Sequence, residues 1–260
     1  MVGLYSSLEE LIMNHYMTIR DDLVKTKNLN TIFLTSSGVD SFCMWHLFKD
    51  KYPNAEPVYF SLGHKYQDIE LKTFEKLAFN VKVVDFMNLG NFEQENAFIP
   101  YRNLLLFAGA CLLSADQVLL GSLRGEYSLD KSPKFMREAS DLLSFIGERK
   151  VKLLNPVGKY TKTQLVREFL KAHPGKLQLL KTTHSCYQDE KRCGQCMACF
   201  RRWVAFSNNG IEESYLNPPR EWQAIKYNNL ADWLKKFWKN PRLDILINNY
   251  DAYLALRNRI

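Results

Sequence analysis

Four of the six cysteines lie close together with the spacing C-x6-C-x2-C-x2-C: Cys186, Cys193, Cys196 and Cys199. Two overlapping C-x2-C steps place thiolates on one tight turn, where Gly194 permits a sharp bend. The upstream thiolate can then complete a tetrahedral shell around Zn²⁺. Because four protein ligands leave no open coordination position, we expect one structural zinc ion per chain. A disulfide pair and an iron–sulfur cluster are the alternative interpretations.

A second candidate site is the stretch T-I-F-L-T-S-S-G-V-D-S at residues 31–41. Its first part is apolar with β-branched character and its middle consists of small residues. Asp40 and Ser41 then open a segment with apolar residues at helical spacing. This order predicts a strand, a tight loop and a helix, in which loop N–H groups and the positive helix end bind phosphate. An ordinary turn with a serine-rich helix cap is the alternative.

The elements that must position these residues alternate between short strands and helices. We expect strands at residues 32–34, 57–61, 81–86, 117–120 and 150–154, and helices after residue 40 and at residues 69–79 and 101–115. This alternation predicts an α/β fold with a doubly wound, parallel five-stranded sheet, since each crossover packs a helix on one face. Ligands of such sheets bind at the carboxyl ends of the strands. We therefore expect one crevice lined by residues 36–41, 61–66, 85–87, 121–127 and 155–159.

The composition is that of a protein with a sizeable core and a basic surface. The 260 residues are 46% hydrophobic, and 35 Lys and Arg against 28 Asp and Glu give a net charge of +7, which suits nucleotides, acidic metabolites or nucleic acid. The apolar run at residues 104–113 is about half of the roughly 20 residues that a membrane helix needs. Glu9 and Glu10 interrupt the first apolar stretch, so no signal peptide is expected and the predicted location is cytoplasmic. Cys43 and Cys111 lie in apolar helical contexts and are predicted core residues.

The two ends of the chain are expected to be helical additions to the sheet. Apolar residues near helical spacing predict an amphipathic helix within residues 1–30, and a second one at residues 230–238 is rich in Trp and Phe. Packing or a subunit contact, and so a homodimer, is the first interpretation of the second helix; base stacking is the other. The predicted division is an N-terminal extension (1–30), a nucleotide-binding domain (31–180), a zinc-binding helical subdomain (181–210) and a C-terminal helical extension (211–260).

Several segments resemble one family of ATP-using enzymes. The S-S-G-V-D-S loop resembles the S-G-G-x-D-S loop of PP-loop ATP pyrophosphatases, and T-H-S-C-Y before the other cysteines resembles the 7-cyano-7-deazaguanine synthase (QueC) family. I-P-Y-R-N resembles that family's V-P-G-R-N segment. Further similar segments are found at residues 115–121, 127–134 and 155–162. The resemblance covers roughly residues 30–207 and implies an adenine-nucleotide alpha-hydrolase (HUP-like) sheet.

The resemblance also implies a reaction and its site. Family members use ATP, Mg²⁺ and ammonia to convert 7-carboxy-7-deazaguanine into the nitrile, through an acyl-adenylate and an amide, for nucleic-acid modification. The implied catalytic residues are Asp40, Ser41, Arg102, Lys162 and His64. The implied ATP-binding residues are Thr35, Ser36, Ser37, Gly38, Val39, Asp40, Ser41, Phe60, Asn103 and Gly121. The implied substrate contacts are Arg102, Asn103, Arg124, Asp130 and Tyr66.

The sequence departs from the family at several places. The family's P-D-C-R stretch corresponds to the region of Asp130, without the cysteine and with Lys131 or Lys134 in place of the arginine. Ser37 replaces the first loop glycine, which requires that this residue does not adopt a positive φ. The family's Y-G-Q-R-H becomes L-G-H-K-Y, so Tyr66 stands for the histidine and His64 is new; a proton shuttle and an ordinary solvated side chain are the two interpretations of His64. Two other functions therefore remain open: a PP-loop enzyme that adenylates another acid, and a non-catalytic nucleic-acid-binding protein. For the main interpretation, stable nucleic-acid binding is not expected.

Overall fold

A computed structural model describes residues 29–95, 97–125, 129–188, 190–221 and 250–256. The helices predicted within residues 1–28 and at 230–238, and Tyr127 of one family-like segment, lie outside these residues. Within the described part of the chain, no helix is both long and apolar enough to cross a bilayer.

Five strands form one sheet in which every neighbouring pair is parallel. The strands are β1 (Thr31–Leu34), β2 (Ala55–Ser61), β3 (Lys82–Asp85), β4 (Gln117–Leu120) and β5 (Lys152–Leu154). Their order across the sheet is β3-β2-β1-β4-β5. The predicted parallel five-stranded sheet is therefore confirmed; β4 has the predicted bounds, and the other four strands differ from theirs by one or two residues at one or both ends.

Helices follow the strands, as parallel crossovers require. They are α1 (Val39–Phe48), α2 (Gln67–Leu77), α3 (Arg102–Leu112), α4 (Pro133–Ile146), α5 (Lys162–Ala172), α6 (Leu177–Thr182) and α7 (Met197–Ser207). Residues 250–256 are also helical, and single 3₁₀ turns occupy residues 49–51, 90–92, 129–131 and 174–176. The local sequence explains where two of these helices begin. Ser132 caps α4 with Pro133 in its first turn, and Thr161 and Gln164 form a reciprocal capping box on α5.

The sheet has an apolar core on each face because successive strand residues point to opposite sides. In β1, Phe33 packs with residues of α1 and α5 on one face. Its neighbours Ile32 and Leu34 pack with residues of α3 and α4 on the other. The fold is therefore doubly wound, as predicted, and the central strands are buried on both faces.

The strand order reverses next to β1, which makes the carboxyl ends of β1 and β4 the switch point of the sheet. The chain leaves β1 towards α1 on one face and leaves β4 towards α4 on the other, so the two loops diverge and leave a gap. This gap is where a ligand-binding crevice is expected in such a fold, and it lies at the loop of residues 35–41.

The helix that follows the cysteines packs directly on the sheet domain. Ala205 and Phe206 of α7 belong to the same core cluster as Phe33 of β1. Trp203 and Val204 pack with Ala252 of the helical residues 250–256. The predicted domain boundaries remain a prediction, but α7 shares its core with the elements on either side of them.

Candidate active site and metal centre

A crevice opens at the switch point of the sheet, and we call it the central crevice. It is bordered by the loop after β1, the ends of β2 and β4, the starts of α2, α3 and α5, and the cysteine-rich segment. The residues used below that line it are Thr35, Ser36, Gly38, Val39, Asp40, Ser41, Tyr59, Phe60, Tyr66, Glu70, Arg102, Asn103, Gly121, Lys131, Lys162, His184, Ser185, Cys186, Tyr187, Ala198 and Arg201.

The loop at residues 35–41, called here the phosphate loop, borders the crevice with every residue except Ser37. The Ser36 N–H donates to Ser41 Oγ over 3.1 Å, and the two serine hydroxyl oxygens lie 3.2 Å apart. Gly38 caps α1 without a side-chain hydrogen bond to the helix end. The first N–H groups of α1 are therefore not capped by a side chain and can donate to an anion, which the helix dipole also favours.

Ser37, which stands where the family has glycine, is accommodated by the backbone. Its φ is not positive, so its Cβ causes no strain, and the condition stated from the sequence is met. The side chain is buried away from the crevice. Its carbonyl accepts a hydrogen bond of 2.9 Å from the N–H of His184, which ties the phosphate loop to the T-H-S-C-Y segment.

Two charged side chains face each other across the crevice. Lys162 Nζ lies 2.8 Å from Asp40 Oδ1 and 2.6 Å from Oδ2, and both side chains are about four-fifths buried. Asp40 stands in the first turn of α1 and Lys162 begins α5. The N-terminal ends of two helices therefore bring a carboxylate and an ammonium group beside the phosphate loop.

The start of α3 supplies the third polar group. Arg102 and Asn103 both line the crevice, and Asn103 is almost completely buried. The Asn103 amide donates to Asp130 Oδ2 over 2.8 Å. Asp130 itself does not line the crevice, and its substrate contact stays a prediction. Its carboxylate holds the Asn103 side chain in place.

The first turn of α2 carries a buried carboxylate that the sequence reasoning missed. Glu70 Oε2 accepts a hydrogen bond of 2.9 Å from the Tyr59 hydroxyl and lies 3.0 Å from His64 Nε2. His64 is buried behind Glu70 and does not line the crevice. His64 reaches the crevice lining through this contact with Glu70, and a proton-shuttle role for His64 stays a prediction.

The four cysteines of the C-x6-C-x2-C-x2-C motif, called here the cysteine cluster, come together in space. All four are buried, and their Sγ atoms lie within 4.8 Å of one another. The Sγ atoms of Cys193 and Cys199 are 4.0 Å apart, close to the roughly 3.8 Å expected between thiolates that bind one tetrahedral Zn²⁺ at about 2.3 Å. The donor set and spacing fit zinc.

Backbone groups around the cluster favour thiolates. N–H groups of Gln188 and Cys193 lie 3.4 Å from Cys186 Sγ, and that of Gln195 lies 3.3 Å from Cys193 Sγ. Hydrogen bonds from the Cys196 and Cys199 thiols hold the pKa of Cys186 well below its ordinary value. Negative charge is therefore stabilised at Cys186, whereas burial raises the pKa of Cys193 and the hydrogen bond with Cys186 raises the pKa of Cys199.

The turn between the cysteines depends on Gly194. Its φ is +73°, and a Cβ at this position would lie 1.7 Å from the carbonyl oxygen of Asn217. The Asn217 side chain donates to the Cys193 carbonyl over 3.0 Å. The prediction that Gly194 permits the turn is confirmed, and the structure adds a second reason, the close approach of the Asn217 backbone.

Comparison with known sequences finds one matching family. The sequence model of "Queuosine biosynthesis protein QueC" matches residues 82–210, which include β3, β4, β5 and the whole cysteine cluster. The predicted resemblance to the QueC family is thereby confirmed. The matched residues include the T-H-S-C-Y segment and begin after the phosphate loop.

Curated relatives of the QueC family match over a larger part of the chain. A 7-cyano-7-deazaguanine synthase of Methanococcus aeolicus is 28% identical over 163 residues, which is 56% of this chain and 70% of the relative. Those of Alteromonas mediterranea and Methanoculleus marisnigri are 25% and 28% identical, over 71% and 70% of this chain and 96% of each relative. A solved structure, a predicted subunit of a tRNA methyltransferase from Methanocaldococcus jannaschii, is similar at a TM-score of 0.36 and 15% identity, with 55% of this chain and 74% of that chain covered.

Most residues that the QueC resemblance implied for the site do border the crevice. They are Thr35, Ser36, Gly38, Val39, Asp40, Ser41, Phe60, Tyr66, Arg102, Asn103, Gly121 and Lys162. Ser37, His64, Arg124 and Asp130 do not. Arg124 lies in the loop after β4, where its N–H donates to the Tyr160 carbonyl. Residues 85–87 and 155–159 do not line the crevice either, because they end β3 and β5, the outermost strands.

Two features of the sequence could have identified the crevice residues that were not predicted. His184, Ser185 and Tyr187 flank Cys186, so any site beside the cysteine cluster had to include them. Glu70 begins a buried set at positions 70, 73, 74 and 77 of α2, which is the spacing of a core-facing helix stripe. A carboxylate at the head of such a stripe indicates a functional or paired group.

Proposed function

We propose that the chain is an ATP-dependent 7-cyano-7-deazaguanine synthase, which converts 7-carboxy-7-deazaguanine and ammonia into the nitrile. The observation that carries the proposal is the pair Asp40–Lys162 beside an uncapped phosphate loop, at the switch point of a QueC-family sheet. A cation, a carboxylate and several N–H donors at one helix start suit the triphosphate of ATP with its metal ion.

The chemistry needs activation of a carboxylate. Loss of an oxide ion from a carboxylate is prohibitively slow, so ATP first transfers AMP to the substrate oxygen and releases pyrophosphate. Ammonia then attacks the acyl carbon and AMP leaves, which gives the amide. A second transfer of AMP to the amide oxygen makes that oxygen a leaving group, and loss of AMP and of the nitrogen-bound protons yields the nitrile.

The residues of the phosphate loop and its neighbours supply the stabilisation that these steps need. Ser36 and Ser41 donate hydroxyl protons to phosphate oxygens, and Lys162 neutralises charge that develops on pyrophosphate as it departs. Asp40 is the residue that would hold Mg²⁺, which supplies electrostatic stabilisation of the phosphates when bound. Arg102 at the start of α3 can pair with the carboxylate of the substrate in a bidentate manner.

The cysteine cluster has a structural role in this proposal. Four thiolates fill the coordination sphere of Zn²⁺ and leave no position for a substrate. Cys186 and Ala198 line the crevice, so the bound ion would fix that side of the site. We also propose a cytoplasmic location, a homodimer, and a product used in nucleic-acid modification without stable nucleic-acid binding by the enzyme.

One incubation separates the proposal from its rivals. The protein is mixed with ATP, Mg²⁺, ammonium and 7-carboxy-7-deazaguanine, and AMP, pyrophosphate and nitrile are quantified by chromatography and mass spectrometry. Two AMP per nitrile is the expected ratio. AMP from a different carboxylic acid, with no nitrile, would identify an enzyme with another acceptor.

The departures at Ser37 and Tyr66 make that second outcome worth testing directly, since Tyr66 lines the crevice where the family has histidine. A panel of purine-like carboxylic acids in the same assay tests whether the enzyme activates a different acid. No AMP with any of them, together with tight tRNA binding that weakens steeply with salt, would instead indicate a nucleic-acid-binding protein.

A further inference from the structure

The central crevice has an uneven distribution of charge. Its described lining contains the basic side chains of Arg102, Lys131, Lys162 and Arg201, and the acidic ones of Asp40 and Glu70. Asp40 is already engaged by Lys162. Glu70 lies at the β2 side of the crevice and contacts neither the phosphate loop nor Lys162 in the hydrogen bonds that it makes.

The Glu70 carboxylate is held in one orientation. Its residue is only 6% exposed, and the Tyr59 hydroxyl and His64 Nε2 both reach the same oxygen, Oε2. A carboxylate can only accept, so His64 donates from Nε2. Oε1 takes neither of these bonds. Two buried donors on one oxygen fix the plane of the group, as a site that must recognise a ligand edge requires.

Aromatic rings flank this carboxylate. Tyr66 lies one helical turn before Glu70, and its ring centroid is 4.2 Å from that of His64 and 5.5 Å from that of Tyr187. Tyr66 and Tyr187 both line the crevice. A buried acceptor beside two tyrosine rings suits a flat heteroaromatic ring that carries hydrogen-bond donors on its edge.

We propose that Glu70 recognises the 2-amino-pyrimidinone edge of the deazaguanine substrate, with Tyr59 and His64 as its positioning residues. The inference rests on the proposed function. That edge presents two adjacent donors, N1–H and the 2-amino group, whereas the corresponding edge of adenine presents a donor beside an acceptor. A group that only accepts therefore favours the deazaguanine over the adenine of ATP at this end of the crevice.

The test is Glu70→Gln in the full chain. Gln keeps the size of the side chain and an oxygen for Tyr59, but it removes the charge from the acceptor. We expect KM for 7-carboxy-7-deazaguanine to rise about 10- to 100-fold, the range for loss of a hydrogen bond to a charged group, while KM for ATP changes less than about twofold. Glu75→Gln, an exposed carboxylate on the same helix, is the matched control and should change neither value.

A substrate analogue distinguishes recognition from a merely structural role. 7-Carboxy-7-deazahypoxanthine lacks the 2-amino group, so the unmodified protein should lose affinity for it by a factor similar to that of Glu70→Gln. The variant should then discriminate between the two ligands by less than about threefold. A variant that was only distorted would bind both ligands worse and keep the discrimination.

A second variant guards against misfolding of the first. Tyr59→Phe removes one donor to Oε2, and we expect a smaller rise in KM for the deazaguanine with reduced discrimination. Should the unmodified protein form nitrile while both variants discriminate as it does, the inference about Glu70 fails and the proposed function stands. Should the unmodified protein form no nitrile, both fail together.

Discussion

At the scale of single residues, the site depends on charges that are brought close together before any ligand binds. Asp40 and Lys162 are 122 positions apart in the sequence, yet their charged atoms lie within 2.8 Å of each other. In a partly buried site such a pair orients both side chains, because the opposite charges attract each other over a short distance. When ATP and a divalent ion bind, the triphosphate can replace Asp40 as the partner of Lys162, and the ion can replace Lys162 as the partner of Asp40. Each new partner carries a higher charge than the one it replaces.

We expect Asp40→Ala to abolish release of AMP and pyrophosphate while the fold is retained. The carboxylate is needed for the metal ion and for the orientation of Lys162, and its removal leaves no cavity in the core. Product formation by chromatography and a thermal melt measure the two effects. Asp141→Ala, an exposed aspartate on α4, is the control and should retain full activity. ATP turnover by Asp40→Ala at the unmodified rate would contradict the role given to the phosphate loop.

At the scale of elements, the cysteine cluster depends on three neighbouring parts of the chain. They are the turn at Gly194, the start of α7 and the segment around Asn217, which covers the turn. Cys196 caps α7 through its sulfur, which accepts from the N–H of Cys199. The segment around Asn217 lies so close to Gly194 that no side chain fits between them. Metal ligands, helix cap and covering segment therefore form together, since each supplies contacts that the others need.

Gly194→Ala should lower both zinc content and thermal stability. The methyl group of an alanine at this position must displace the Asn217 backbone, and the alanine itself must adopt a positive φ. Gly210→Ala is the matched control, because Gly210 has a φ of +69° with nothing within 4 Å of the added Cβ. That control should cost only about 1 kcal/mol for its backbone conformation and leave zinc binding intact. Equal effects of the two substitutions would show that the Asn217 contact is unimportant.

Cys196→Ala should lose zinc and local structure together. Three thiolates bind the ion more weakly than four, and the helix cap at the start of α7 is lost with the sulfur. Zinc per chain, measured by atomic absorption, and protection of residues 183–207 from limited proteolysis are the two measurements. Cys111→Ala, half-buried on α3 and remote from the cluster, should retain about one zinc per chain. Zinc well below one equivalent in the unmodified protein would refute the metal assignment.

At the scale of the whole molecule, one buried arginine links the cysteine cluster to the segments around it. Arg202 is completely buried, and it donates to Glu213 over 2.6 and 2.7 Å and to the Thr183 hydroxyl over 2.7 Å. Its guanidinium also lies over the Phe206 ring. Through these bonds α7, the end of α6 and the segment after residue 210 are held as one unit beside the crevice.

Arg202→Met should lower the free energy of unfolding by about 3 kcal/mol, at the lower end of the usual range for breaking a buried ion pair. The lower end applies because Glu213 keeps a hydrogen bond from Tyr215 and a contact with Arg192. Urea unfolding followed by circular dichroism measures the change. Arg201→Met is the neighbouring control: Arg201 lines the crevice, so its loss should affect activity more than stability.

The sequence alone was sufficient for the sheet, the phosphate loop and the metal ligands. Each of these is encoded locally: apolar runs of strand length, small residues before a helix start, and cysteines within 14 positions of one another. Local patterns also predicted that Gly194 lies in a sharp turn. They could not predict which strand ends meet, so residues 85–87 and 155–159 were expected in a crevice that only β1, β2 and β4 border.

The tertiary structure decided which polar side chains face the ligand and which support them. His64, Glu70 and Tyr59 lie within 12 positions, and no local rule says that Glu70 faces the crevice with His64 behind it. The contacts Asp40–Lys162, Asn103–Asp130 and Gly194–Asn217 join separate segments, so they exist only once the sheet has folded. Residue types and spacing thus determined the chemistry available to this chain, whereas packing determined its geometry, because side-chain direction depends on contacts distant in sequence.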